Sequence, residues 1–253
     1  MKKFLSVLLL FLITSTAFAA GNREKVVERL DAAATIMDEI MAAPDKGIPE
    51  EILGSAECVA IVPSFLKGGF VVGGAYGKGV ATCRTPDGWS APAFFRMEGG
   101  SFGLQIGGEA VDLVMLIMNE HGMRSLMSSK FQLGADAAAA AGPVGRHAEG
   151  STDWKLRAEV LTYSRSRGLF AGISLKGNTL RQDKDDTRAF YGRMVPFRTS
   201  LAGQIAAPAD AHTFLAAVAK YALRASGKGP AQPAPKPQNT QPATQPPVEA
   251  KPN

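Results

Sequence analysis

Several groups of residues in this chain are of types that do chemistry, and each demands a particular geometry. Gly99-Gly100-Ser101-Phe102-Gly103 matches the G-x-S-x-G pattern of a hydrolase nucleophile elbow, which needs a strand before the serine and a helix after it. His121 or His147 would then stand as base, with Asp112 or Asp153 as the orienting carboxylate. The residues after Ser101 alternate as a strand does, so the glycines read instead as places where a sheet bends. The Gly68–Gly79 run resembles a phosphate loop, but Lys78 is followed by Gly79 and not by Ser or Thr, which excludes it. Arg146, His147, Glu149 and Asp153 follow a Gly-Pro-Val-Gly break and read as a hydrogen-bonded loop. No catalytic residue and no cofactor is expected from these patterns.

Two cysteines, Cys58 and Cys83, form a candidate disulfide. A bond closing that loop would stabilise by roughly 3 kcal/mol in an oxidising compartment. Two buried thiols are the alternative, since spacing alone does not bring their Cα atoms together. With no Cys-x-x-Cys and three scattered histidines, no metal ligand set is expected.

The remaining chemistry is cationic. Arg23, Lys25 and Arg29 lie on Asn22–Met41, where Val26, Leu30, Ala33, Met37, Ile40 and Met41 recur at three- and four-residue steps. That is an amphipathic helix, expected to pack on the core; the functional alternative is a helix lying in a membrane interface. Arg165 and Arg167 sit at a hairpin tip, from which a basic turn would present charge first to lipid headgroups. These five are the candidate lipid-binding residues.

Residues 1–19 read as a signal peptide. Lys2 and Lys3 precede the apolar Phe4–Ile13, and Ala17-Phe18-Ala19 supplies a small-x-small cleavage site. The apolar run is short for a transmembrane helix. An exported, periplasmic protein is therefore expected, peripheral on a membrane. Cleavage would change the balance from 28 − 23 = +5 to 26 − 23 = +3, mildly basic and far from a nucleic-acid footprint. Residues 226–253, with 8 of the 16 prolines, read as a disordered spacer.

Between these ends, the chain must supply elements that hold the candidates. Arg96–Asn119 alternates with period two and then becomes apolar on both faces, which predicts a long, curved central strand. Before it come a short helix to Ser55, a strand at Glu57–Pro63, and two more strands within Phe65–Thr85, divided by glycines. After it, His121–Ser129 reads as helix and Lys130–Leu133 as extended. The alanine-rich Ala135–Ala141 fits helix or buried strand. Lys155–Tyr163 and Leu169–Leu175 form a hairpin, and Asp183–Tyr191 and Pro208–Ala225 read as helices. The fold class is α+β, a curved, barrel-like antiparallel sheet flanked by N- and C-terminal helices.

CVAIVP from Cys58, GGAYGKG from Gly73, GWSAPAF from Gly88 and GSFGLQIG from Gly100 run in a familiar order. SSKF from Ser128, GPVGR from Gly142 and YSRSRGLFAG from Tyr163 continue it. In this the chain resembles the SYLF lipid-binding domain family over about residues 22–194, within a domain spanning 20–225 and a motif core of 57–194. The resemblance implies a non-enzymatic domain that binds anionic phospholipid at a membrane surface in the bacterial envelope. It implies a contribution from the N-terminal helix, which matches Asn22–Met41 here. A periplasmic scaffold or stress protein binding protein partners is the alternative, and a serine hydrolase the third. The family also carries an actin-binding label, but actin is not expected to partner an exported protein, and nucleic acid is excluded by charge.

Overall fold

The structure, a computed structural model, describes residues 2–43, 47–128, 130–144, 158–166, 169–172 and 175–225. The polar cluster Arg146, His147, Glu149 and Asp153, together with Arg167 and residues 226–253, lies outside the described residues.

Helix α1 runs from Lys2 to Ala42, through both the apolar N-terminal run and the amphipathic stretch. A short α2 (Glu50–Ser55) starts behind Pro49. Strand β1 (Cys58–Thr85) is 28 residues long and pairs antiparallel with β3 (Ala93–Ile117), from Ala81↔Ala93 near the turn to Cys58↔Ile117 at the far end. Between them stands the two-residue β2, Gly88–Trp89. The three strands expected across Glu57–Thr85 are thus one strand. Its glycines do not stop the ladder; two of them let the strand fold back on itself. A Cβ on Gly77 would fall 2.6 Å from Val62 and 2.8 Å from Phe65, and one on Gly79 2.6 Å from the Ile61 carbonyl. The bends fall at register shifts between Val62 and Phe65 and between Gly69 and Val71. At the first, Ser64 takes φ 53°, and its N–H donates to Asp112 Oδ1 at 3.0 Å.

After β3 come α3 (Glu120–Leu126), β4 (Lys130–Gln132) and β5 (Ala139–Ala141), then β6 (Val160–Ser166), β7 (Leu169–Gly172) and β8 (Thr179–Gln182). Helices α4 (Lys184–Tyr191), α5 (Phe197–Leu201) and α6 (His212–Ala225) follow, the last entered by a 3-10 turn at Ala209–Ala211. The described strands form one eight-stranded sheet, curled into a half-barrel with helices at both ends. It is antiparallel except where β5 lies parallel to β6. The alanine run ends as that edge strand, with Ala139 buried and Ala140 and Ala141 exposed; its small side chains suit a strand laid beside β6. The hairpin forms with Ser166 opposite Leu169, so the strand runs further into the expected loop. α5 had no counterpart in the sequence reading.

Both faces of the sheet are covered, which explains the apolar run after Val111. Leu113, Met115 and Ile117 enter the core inside the curl with Cys58, Val62, Phe65, Phe95 and Met97. Val114 and Leu116 face the helices with Val59, Ile61, Val80 and Phe94. Val26, Leu30, Ala33, Met37 and Ile40 of α1 are all fully buried in that second core. The Cys58–Cys83 disulfide is formed, with sulfurs 2.00 Å apart, and joins the two ends of β1. Arg84 completes the closure. Its backbone N–H donates to the Glu57 carbonyl at 2.8 Å and its Nε to the Ala56 carbonyl at 2.7 Å, while the guanidinium lies over Trp89.

Candidate functional site

The outward face of the sheet emerges to solvent where the helical layer ends. Helix α4 begins there because Asp183 caps it, accepting from the N–H groups of Asp185 and Asp186 at 3.1 and 3.0 Å. The same buried carboxylate lies 2.7 Å from Lys78 Nζ, and Asp186 lies 3.0 Å from it. Asp186 also accepts from Arg29 of α1 at 2.5 Å. Burial is the largest influence and opposes charge on both Asp183 and Lys78, but their mutual hydrogen bond and attraction, added to Asp186 beside Lys78 and the cap N–H groups on Asp183, together outweigh it. Asp183, helped by the two cap N–H groups, is held below the usual carboxylate range, and Lys78 above the usual amine range.

Beyond this cluster, the two arms of the β1–β3 ribbon border an open groove of about 900 Å³. Leu66, Lys67 and Tyr76 line it from β1, Glu98 and Glu109 from β3, and Arg181 from β8. Leu66 and Tyr76 are 55% and 44% exposed, unusual for large apolar side chains beside a charged rim. Burial pushes the Lys67 ammonium down, and Glu109 pulls it partly back. Glu109 accepts from Ser166 at 2.6 Å.

The described sequence candidates, Arg23, Lys25, Arg29 and Arg165, are not among the residues that line this groove. Arg23 pairs with Asp210 and sits over the Phe190 ring, Arg29 pairs with Asp186, and Lys25 is exposed. Arg165 pairs with Glu39 of α1 and, at 2.8 Å, with Asp112. Asp38 meets Lys220 at 2.9 Å and the Tyr221 hydroxyl at 2.7 Å. The first helix is therefore docked along its apolar stripe and clasped by ion pairs on its polar flanks. Ser101 lies within continuous β3 opposite Gly73, so the G-x-S-x-G pattern has a strand on both sides and lacks an elbow. Asp112, offered as orienting carboxylate, is held by Arg165 and the Ser64 N–H, and His121 is 2.6 Å from Glu159. Among the described residues, no cluster could hold a metal and no helix is long and apolar enough to cross a membrane.

Residues 98–221 match the family model Ysc84, described as "Las17-binding protein actin regulator". The matched segment is thus identified as a Ysc84, or SYLF, domain. SH3 domain-containing YSC84-like protein 1 of Bos taurus is 38% identical over 170 residues, 66% of this chain and 50% of the relative. The Xenopus laevis protein of that name is 40% identical over 152 residues, 59% of this chain and 45% of the relative. Protein YSC84 of Saccharomyces cerevisiae is 35% identical over 175 residues, 68% and 37% respectively. The chain thus spans half or less of the length of these curated relatives. The family description is that of a binding and regulatory protein. The SYLF match covers most of β3, the β6–β8 strands and the C-terminal helices, and so includes the Glu98–Arg181 side of the groove.

Proposed function

We propose that this SYLF domain is a non-enzymatic module that binds anionic phospholipid peripherally at a membrane face of the bacterial envelope. The exported, periplasmic setting is supported by the lysine-led apolar leader. The observation that carries the reading is the exposure of Leu66 and Tyr76 beside Lys67 and Arg181 at the groove mouth. An aromatic and an aliphatic side chain standing in water next to cations suit the boundary between headgroups and acyl chains. This surface is a better candidate than the stripe of the first helix. Undocking α1 would expose Val26, Leu30, Ile36, Met37 and Ile40, at a cost on the order of 10 kcal/mol, comparable to the stability of a whole domain.

Co-sedimentation tests it. The protein pellets with vesicles containing phosphatidylglycerol and not with phosphatidylcholine alone, and pelleting weakens as salt rises. The double substitution Leu66→Ser, Tyr76→Ser lowers pelleting while leaving the unfolding temperature in place, because both side chains are exposed. Absence of pelleting under every condition would sink the lipid reading. A protein-binding scaffold would then take its place, supported by the family description as Las17-binding and by relatives such as LAS seventeen-binding protein 3 of Saccharomyces cerevisiae.

A further inference from the structure

Four cationic residues stand in one row across four strands. Lys78 of β1 is the register partner of Arg96 on β3, Arg96 of Arg181 on β8, and Arg181 of Lys130 on β4. Directly opposed residues of antiparallel strands point to the same face. The alternate row, Gly77–Met97–Leu180–Phe131, is buried in the core inside the curl, so the cationic row faces outward. At the usual strand spacing it is about 14 Å long.

Like charges placed directly opposite destabilise a sheet, and this row contains three such pairs in succession. Carboxylates answer the β1 and β3 members of the row and leave its far end unanswered. Lys78 is clamped by Asp183 and Asp186. Arg96 has Glu98 at 3.0 Å, but its Nε makes no hydrogen bond among the described residues. Arg181 and Lys130 are exposed and have no ion pair among the described residues. The positive charge therefore accumulates toward β8 and β4, and Arg181 also lines the groove shared with Leu66 and Tyr76.

We propose that Arg96, Arg181 and Lys130 form a seat for the phosphate of an anionic membrane lipid headgroup. The inference rests on the lipid-binding reading above and assigns that reading to residues other than those on the first helix. A guanidinium presents a planar fork of donors to phosphate oxygens. Arg181 stands at the groove mouth and Lys130 beside it, so a headgroup held there lies next to the two exposed apolar side chains. The bilayer is the source that fits, because a soluble phosphate makes no use of Leu66 and Tyr76.

The test compares full-length protein, Arg181→Ala with Lys130→Ala, and a control, Arg193→Ala with Arg198→Ala, which removes the same charge from exposed sites elsewhere. Each is titrated with phosphatidylcholine vesicles with and without phosphatidylglycerol, and its thermal unfolding is recorded. The row variant is expected to bind about thirtyfold more weakly, from two basic residues near an anionic surface, with unchanged unfolding and little change in the control. If the wild type binds and both double variants bind equally well or equally poorly, the seat is overturned while lipid binding stands. If the wild type binds no vesicle, both fall. A third arm adds inorganic phosphate at the same ionic strength as a chloride control. Full competition by phosphate alone would assign the row to a soluble anion and overturn the lipid source.

Discussion

At the scale of single residues, Lys78 and Asp183 carry the most consequence. Their roles in the sequence reading were half right. Asp183 was legible as the start of an acidic helix, because a short polar side chain before Lys184-Asp185-Asp186 is a natural cap. Lys78 stands out in the sequence only as a phosphate-loop lysine, a role that Gly79 after it excludes. That the two would meet could not be read, since the contact depends on β3 pairing with both β1 and β8, a register no local pattern encodes. The pair makes a prediction with a defined sign. Asp183 is depressed when folded, so its contribution is complete above the ordinary carboxylate pKa near 3.9 and is lost as pH falls below it. Lys78 is raised when folded, so its contribution is complete below the ordinary amine pKa near 10.4 and is lost as pH rises through it. The unfolding temperature should be level between these bounds and fall on either side. Asp183→Asn should cost about 2 kcal/mol at neutral pH, from a weakened cap and a lost charged hydrogen bond, and flatten the acid limb. Thermal scans across pH read both, and an unchanged acid limb in the variant would remove Asp183 from the account.

At the scale of elements, periodicity served the helices better than the glycines served the strands. The three- and four-residue spacing of Val26, Leu30, Ala33 and Met37 identified the buried stripe of α1 correctly, because helix faces are set by local geometry alone. The same signal cannot say whether a stripe meets a core or a bilayer. What decides is the complementary surface of β1, α4 and α6. Leu30→Ala and Met37→Ala should each cost about 2–5 kcal/mol in denaturant unfolding. A loss under 1 kcal/mol at both sites would mean that α1 is not docked in solution. The glycines in β1 mislead when read as punctuation. Gly77 and Gly79 are instead close-approach positions inside a continuous ladder, a meaning visible only once Val62 and Phe65 lie against them.

At the scale of the whole molecule, the α+β class and the curved sheet were legible from the alternation of Arg96–Asn119 and the flanking helices. The joining of the two ends of β1 was not, because it rests on Arg84 reaching Glu57 and Ala56 and on a disulfide that spacing left open. The bond's contribution is testable. Cys58→Ser with Cys83→Ser, or reduction of the wild type, should lower stability by roughly 3.5 kcal/mol for a loop with a sequence separation of 25. Equilibrium unfolding with and without reductant measures it; identical midpoints would mean that the hydrogen bonds of Arg84 hold the ends of β1 together unaided. The cationic row was the least legible feature. Its cations come from four segments spread between Lys78 and Arg181, and only strand register lines them up.

The length of the β1–β3 ribbon also constrains the order in which the chain can assemble. Pairs near the turn, such as Ala81↔Ala93, join residues 12 apart, whereas Cys58↔Ile117 joins residues 59 apart. Loop closure favours short separations first, so the ribbon should zip from its turn outward. On that route the register partners of the cationic row align in stages. Lys78 and Arg96 meet early, whereas Arg181 and Lys130 join only after the chain has passed through β6 and β7. The fully charged face is a late product of folding, absent from the partly zipped hairpin that precedes it.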